Sequence, residues 1–184
     1  MRLYKGQSLI KNLDDYTVLD IETTSLDSKD GEILEISAIK VRNKIVVGEF
    51  SKILKVSYLG DFTISLTGIT EEMVEKYGEE PEKVLQEFLN FLENDIIIGH
   101  NVNFDINFLY DNLKSKLDIY LTNDYIDTLR LSRMLLPFMS RHRLDDLIDY
   151  FKLEKRNEHR TLNDCKLTNQ VYLHLCELLI KVGV

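Results

Sequence analysis

Four carboxylates and one histidine recur in three short segments of the chain, and their residue types point to chemistry. The segments read VLDIETTSL, IIIGHNVNFD and EHRTLNDC. Four acids gathered in one place would repel each other unless cations neutralised them, and hard divalent cations prefer carboxylate oxygens as ligands. We therefore predict a divalent-metal site suited to phosphodiester hydrolysis, and its residues are Asp20, Glu22, Asp105, His159 and Asp164.

The first two acids lie in a stretch whose β-branched and apolar residues predict a strand. Asp20 and Glu22 are two positions apart, so a strand would turn both to one face, and Leu19 and Ile21 to the other. Two adjacent carboxylates on a central strand are costly unless a positive charge joins them. The pair alone is a common pattern, and a strand edge with two solvated acids explains it equally well.

Each of the other three residues also has a purely structural explanation. Asp105 falls in the first turn of a predicted helix, where the helix dipole favours an acid. Asp164 fits a capping box with Thr161, and His159 fits an exposed loop. His100 follows a strand, where a structural role is more common, and it is left out of the catalytic set. The occurrence of all five residues in one order argues for chemistry.

The elements that must position these residues follow from apolar periodicity and capping signals. Strands are predicted at 17–21, 95–99 and 125–127, with an antiparallel hairpin of 31–54 that turns at Asn43–Lys44; helices are predicted at 71–77, from Pro81, at 104–113, 129–136, 144–151 and 162–181. This order predicts an α/β domain whose sheet begins antiparallel and ends parallel through helical crossovers. We assign 1–14 to an N-terminal extension and 15–184 to one domain.

The size and composition fit one folded domain. The chain has 184 residues, of which 44% are hydrophobic and 29% charged, so it can bury a core and extended disorder is not expected. No apolar run is long enough to cross a membrane, and the N-terminal stretch does not resemble a secretory signal. Cys165 and Cys176 suit neither a zinc site nor a disulfide framework, which favours a cytoplasmic location.

The charge is unevenly distributed. The net charge is −8, which argues against a protein that coats duplex DNA. Residues 130–166 contain nine basic and six acidic residues, so this stretch is net +3 and the rest is net −11. We interpret this as a basic rim beside an acidic pocket that could hold a few nucleotides, although a solvated mixed-charge surface is an equally good explanation.

Several motifs together resemble a known family. These are D-I-E-T-T at 20–24, H-N-x-x-F-D at 100–105 and H-R-x-L-x-D at 159–164, with LTGITEEMV at 66–74, DTLRLSR at 127–133 and RLDDL at 143–147. The set resembles the DnaQ-like 3′–5′ exonucleases of the DEDDh type over roughly residues 15–180. Within that family it is similar to the epsilon and PolC-type proofreading exonucleases of bacterial DNA polymerase III.

The resemblance implies a fold, a cofactor and residue roles. The fold would be ribonuclease-H-like, with a mixed five-stranded sheet flanked by helices. Two Mg²⁺ or Mn²⁺ ions would be held by the four carboxylates, and His159 would be the general base. The residues around the terminal nucleotide would be Thr23, Leu26, Leu66, Thr67, Asn101 and Phe104.

The resemblance also implies a substrate and a partner. The substrate would be single-stranded or frayed 3′ ends of DNA, with release of nucleoside 5′-monophosphates, and RNA is possible; a replicative DNA polymerase is the expected partner. Two alternatives remain at this point. One is an RNA-trimming exonuclease or oligoribonuclease, and the other is a catalytically silent, polymerase-associated binding module.

Overall fold

The structure is a computed structural model that describes residues 2–154 and 160–181. A single mixed sheet runs through this part of the chain. Its strands are β1 (Tyr16–Thr23), β2 (Ile33–Arg42), β3 (Ile45–Ile53), β4 (Ile97–Gly99) and β5 (Tyr125–Asp127).

The helices of the described residues lie mainly between and after the later strands. They are α1 (Asp61–Thr67), α2 (Glu71–Tyr77), α3 (Pro81–Leu92), α4 (Asn103–Leu117), α5 (Thr128–Leu135), α6 (Leu144–Phe151) and α7 (Arg160–Lys181).

The sheet has the order β3-β2-β1-β4-β5. β1 pairs antiparallel with β2, and β2 with β3, whereas β1 with β4 and β4 with β5 are parallel. Asn43 and Lys44 both have positive φ, at 51° and 63°, which is the backbone that a tight two-residue hairpin turn requires. The predicted mixed α/β sheet and its hairpin are therefore confirmed.

Most helix ends follow the signals in the sequence. Thr70 caps α2 by accepting a hydrogen bond from the backbone N–H of Met73 at 3.3 Å, and Pro81 occupies the first position of α3. α4 extends beyond the predicted end at residue 113, and two lysines in its last turn suit the negative end of the helix dipole. The sequence did not predict α1.

Apolar side chains fill both faces of the sheet. One core lies between the sheet and helices α3 and α4, with Leu19, Ile36 and Phe88 at its centre. The second lies between the sheet and helices α5, α6 and α7, with Val18 and Val171 among its members. The domain thus has three layers, helix–sheet–helix. No helix in the described ranges has the length and apolar composition needed to cross a membrane.

The N-terminal segment, residues 2–13, runs beside the edge strand β5. The backbone N–H of Tyr125 donates to the carbonyl of Gln7 at 3.0 Å, and the N–H of Leu9 donates to the carbonyl of Tyr125 at 2.8 Å. Arg2 forms an ion pair with Asp111 of α4 at 2.6 Å. These bonds attach the segment to the strand and to the helix that carries Asp105.

Candidate active site

Asp20 and Glu22 lie side by side in the central strand β1, between β2 and β4. Leu19 and Ile21 pack into the core beneath α3 and α4. Since side chains alternate along a strand, Asp20 and Glu22 face the opposite side, toward α7. Glu22 is paired in register with Glu35 of β2. The strand therefore presents both acids on the one face that their spacing predicts.

Asp105 reaches the same place from the first turn of α4. Only 5% of the residue is exposed. Its Oδ1 accepts a hydrogen bond of 3.1 Å from the backbone N–H of Ile21, the residue between Asp20 and Glu22. The start of α4 is thus joined directly to β1 at the pair of acids.

Asp164 is carried to the sheet by the first turns of α7. Residues spaced by four on this helix lie on one face, and three of them bond to β1 or β2. These contacts position Asp164 over the acids of β1. The bonds join Thr161 Oγ1 to Glu35 Oε2 (2.7 Å), Cys165 Sγ to the carbonyl of Ser37 (3.2 Å), and the Tyr16 hydroxyl to Asn169 Oδ1 (2.8 Å).

The four carboxylates influence each other electrostatically. Burial raises the pKa of Asp20 well above its usual range, and the charges of Asp105, Glu22 and Asp164 raise it further. Burial also raises the pKa of Asp105, to about 8, although hydrogen bonds from backbone N–H groups oppose the shift. Three separate elements, β1, α4 and α7, therefore bring negative charge to one place.

The chemistry of this donor set fits a divalent cation, although the side chains do not form a complete ligand cage. Within residues 2–154 and 160–181, no three His, Cys, Asp or Glu side chains are arranged so that they could hold a metal ion. The raised pKa values of Asp20 and Asp105 nevertheless mean that added positive charge would be stabilised here. Mg²⁺ and Mn²⁺ take oxygen ligands of this kind.

The metal-free protein is expected to lose stability as the pH rises from about 4 to about 8. The pKa of Asp105 is raised from 3.8 to about 8 in the folded protein, so the folded state binds the proton more tightly than the unfolded chain. Ionisation of Asp105 therefore costs no stability below the pKa of the unfolded chain. The cost grows as the pH rises until it reaches the pKa of the folded protein. In chelator, the thermal midpoint should therefore be higher at pH 5 than at pH 8, and MnCl₂ should raise it more at pH 8.

An Asp105→Asn variant is the control for this pH dependence. Asparagine has no titrating proton, so the difference between the thermal midpoints at pH 5 and pH 8 should be smaller in this variant than in the wild type. Ion-paired carboxylates such as Glu79, whose pKa is lowered to about 2 by its bonds to Lys52 and Lys83, titrate below this window. Equal midpoints at both pH values in the wild type would contradict the raised pKa.

His159, the predicted general base, lies outside the described residues, and its role stays a prediction. His100, for which the sequence predicts a structural role, is half-buried at the end of β4, and its Nδ1 lies 2.9 Å from Thr128 Oγ1. Burial lowers the pKa of His100, which favours the neutral imidazole. These contacts agree with a structural role for His100.

Four of the residues expected around the terminal nucleotide border open space. Leu26 and Leu66 are 83% and 50% exposed, so both offer apolar surface that a ligand could contact. Phe104 is partly buried and lines, with Leu26, a cavity of about 320 Å³. Asn101 is exposed and has a positive φ of 60°, a strained backbone that functional sites often contain.

The other two expected contacts are less accessible. Thr67 is 5% exposed, and its hydroxyl donates to the carbonyl of Thr63 at 2.9 Å and accepts from the N–H of Ile69 at 3.1 Å. The Thr23 hydroxyl donates to the carbonyl of Ser25 at 2.7 Å. Both hydroxyls thus stabilise local turns, so the geometry favours Leu26 and Leu66 over Thr67 as contacts for a ligand.

Two further carboxylates border the site and were not singled out from the sequence. Glu35 is 9% exposed and accepts hydrogen bonds from the hydroxyls of Ser51 (3.0 Å) and Thr161 (2.7 Å). An acid within the apolar stretch EILEISAIK was the available signal. Asp127, at the end of β5, accepts from the backbone N–H of Asn101 at 2.9 Å, and its charge raises the pKa of Asp105.

The sheet order and the convergent acids define a class of protein, a nuclease domain of the exonuclease type. The exonuclease family model RNase_T matches residues 17–172. The chain belongs to this exonuclease family.

A DNA polymerase III of PolC type from Thermotoga petrophila is 40% identical to this chain over 170 residues, which is 92% of this chain but only 12% of that protein. The chain therefore spans a small part of the length of such relatives.

Solved exonucleases share the fold. Exonuclease I of E. coli in complex with a dA16 oligonucleotide superimposes with a TM-score of 0.71 at 17% identity, over 92% of this chain and 45% of that one. Exonuclease X in complex with 5′ overhanging duplex DNA gives 0.69 at 23% identity, over 88% and 91% of the two chains. The predicted ribonuclease-H-like fold is confirmed.

Proposed function

We propose that this exonuclease domain hydrolyses the terminal phosphodiester at single-stranded or frayed 3′ ends of DNA and releases nucleoside 5′-monophosphates. The observation that carries the proposal is the convergence of Asp20, Glu22, Asp105 and Asp164 from three elements, with the pKa of Asp20 raised by burial and by the other three charges. Divalent cations would offset the mutual repulsion of these carboxylates. Cations held in this way are the ones that catalyse phosphodiester hydrolysis in two-metal sites.

The four carboxylates would hold two Mg²⁺ or Mn²⁺ ions. When bound, such ions lower the pKa of water and offset the charge that develops on phosphate oxygens. His159 would accept the proton of the attacking water as general base. Asp105, whose Oδ1 is fixed by the N–H of Ile21, would keep its position during turnover. Leu26 and Leu66 would contact the terminal base through apolar surface, which does not distinguish one base from another.

DNA is favoured by the relatives. One relative is named a DNA polymerase III of PolC type, and exonuclease I was solved with a DNA oligonucleotide. We propose on the same ground that a replicative DNA polymerase is the partner and that the domain removes mismatched 3′ ends. An unpaired end costs less to open than a paired one, so mismatched primers should be shortened faster than matched primers.

A denaturing-gel time course tests the proposal. The substrates are 5′-labelled DNA and RNA oligonucleotides of the same sequence, single-stranded and as 3′-tailed duplexes. In Mg²⁺ or Mn²⁺, the wild type should shorten DNA one nucleotide at a time from the 3′ end, and chelator should stop the reaction. Asp164→Ala, which removes one predicted ligand, should leave the strands intact.

Two results would replace the proposal with an alternative. Faster shortening of RNA than of DNA would identify an RNA-trimming exonuclease. Intact strands in Mn²⁺, together with retained binding of the labelled oligonucleotide, would identify a catalytically silent binding module.

A further inference from the structure

A basic cavity opens beside the acids, at the carboxyl ends of β4 and β5. Its volume is about 560 Å³. Among the described residues, its lining contains no carboxylate. It is formed by three arginines (Arg133, Arg141 and Arg143), two histidines (His100 and His142), Asn101 and two leucines.

Two of the three arginines form no ion pair with a carboxylate of the described residues. Arg143 is bonded to Asp146 at 3.1 Å. Arg133 and Arg141 are exposed, and neither forms an ion pair with any carboxylate in residues 2–154 and 160–181. The field of Arg141 reaches Asp146, whose pKa is lowered first by its bond to Arg143 and in part by Arg141. The cavity therefore offers at least two guanidinium groups to an anion.

The segment before α4 links the cavity to the candidate active site. Asn101, which lines the cavity, is also one of the residues expected beside the terminal nucleotide. Its carbonyl accepts a hydrogen bond from the N–H of Phe104 at 3.1 Å, and the next residue is Asp105. A strand whose last phosphodiester lies at Asp105 would have to travel only about one helical turn to reach the cavity.

We propose that this cavity binds backbone phosphates of the substrate strand on the 5′ side of the scissile bond. The inference rests on the proposed function. An enzyme that removes the last nucleotide leaves every other phosphate of the strand on that side. Arginine suits phosphate because its planar group donates two parallel hydrogen bonds. A larger cavity, about 830 Å³, is lined by Glu35 and Glu79, and its lysine, Lys52, is already paired with Glu79, so it offers phosphate less positive charge.

The basic stretch of the sequence contributes the arginines of this cavity. The stretch 130–166 is net +3 within an acidic chain. Phosphate contacts are independent of base identity and position a strand without selecting a sequence. Binding through Arg133 and Arg141 would hold the next phosphates of a strand as each terminal nucleotide leaves, whatever its sequence.

The test compares two double variants of equal charge. Arg133→Gln with Arg141→Gln removes the two guanidinium groups that the cavity offers. Lys11→Gln with Lys181→Gln removes two exposed charges: Lys181 ends α7, and the carbonyl of Lys11 accepts from the hydroxyl of Tyr172, in the half of α7 remote from the carboxylates of the candidate active site. Binding of a labelled twelve-nucleotide oligothymidylate is measured by fluorescence anisotropy in Ca²⁺ at several salt concentrations. Thermal unfolding verifies that both variants fold.

The arginine variant should bind the strand about tenfold more weakly. The slope of log affinity against log salt should fall by about 0.7 for each phosphate that the variant no longer binds. The lysine variant should match the wild type. Affinity and slope within twofold of the wild type in the arginine variant, or an equal loss in the lysine variant, would overturn the proposal.

Two further measurements distinguish the proposed contacts from other phosphate sites, and a failure of this proposal from a failure of the proposed activity. An equal loss of affinity for thymidine 5′-monophosphate would identify a product site, and a loss confined to duplex substrates would identify binding of the opposite strand; either result overturns the proposal. Hydrolysis of a nitrophenyl ester of thymidine 5′-monophosphate by the wild type reports the proposed activity separately. A wild type that binds the strand through the arginines but cleaves neither substrate would refute the activity alone.

Discussion

Replacing Asp20 by asparagine is expected to abolish nuclease turnover and to stabilise the metal-free protein. Asp20 lies at the centre of the acids, since the charges of Asp105, Glu22 and Asp164 all act on its carboxyl. Asparagine keeps the shape but removes the charge that would hold a cation. The loss of several kcal/mol of charge stabilisation should lower the turnover rate by a factor of at least about 10³.

The gain in stability should depend on pH in a defined direction. The folded pKa of Asp20 is raised, so its carboxyl costs nothing below the unfolded pKa and progressively more as the pH rises. The midpoint of Asp20→Asn should therefore exceed that of the wild type at pH 8 and approach it near pH 4. For a domain of this size, each kcal/mol raises the midpoint by about 2–4 °C.

An exposed acid nearby provides the matched control for Asp20→Asn. Asp30→Asn removes the same charge from the loop after β1 and should leave turnover unchanged. Thermal unfolding in chelator and gel-based turnover in Mn²⁺ are measured on the same preparations. A fully active Asp20→Asn variant, or one that melts below the wild type at pH 8, is incompatible with a compact acidic site.

Replacing His159 by alanine is expected to lower turnover by about 10² to 10⁴-fold while the domain stays folded. That range is the usual contribution of a general base. An unperturbed imidazole takes up a proton below about pH 6.5 and can then no longer accept one, so wild-type turnover should fall on the acidic side. The measurement is turnover from pH 5 to pH 9 for both proteins.

His174→Ala is the control for the histidine. His174 stacks on the ring of Phe151 with centroids 4.9 Å apart, in the half of α7 remote from Asp164. Its removal should leave the pH profile unchanged. If the wild-type rate were flat from acid to alkaline pH, or His159→Ala kept full activity, the general base would have to be sought elsewhere.

Much of the fold follows from the sequence because its local signals agree with its tertiary contacts. The hairpin at Asn43–Lys44, the proline at the start of α3 and the threonine cap of α2 all act within a few residues. The positions of Asp20 and Glu22 follow from the two-residue period of a strand. The family motifs add the order in which distant segments meet, which periodicity alone cannot provide.

The features that were not predicted depend on contacts between distant segments. α1 has seven residues, no side-chain cap at its start, and exposed apolar residues at Phe62 and Leu66, so its sequence carries little helical periodicity. The burial of Thr67 is set by the turn that follows this helix. Glu35 is 126 residues from Thr161 in the chain, and only the folded structure reveals their bond.

The attachment of α7 has a consequence for how heat inactivates the domain. Thr161, Cys165 and Asn169 bond to the two central strands over successive turns of the helix. Asp164 lies between the first two of these anchors, so it moves away from β1 only if the bonds between α7 and the strands break. Fraying at the C-terminal end of α7 would therefore spare the carboxylates, and their dispersal on heating would coincide with cooperative detachment of the helix from the sheet.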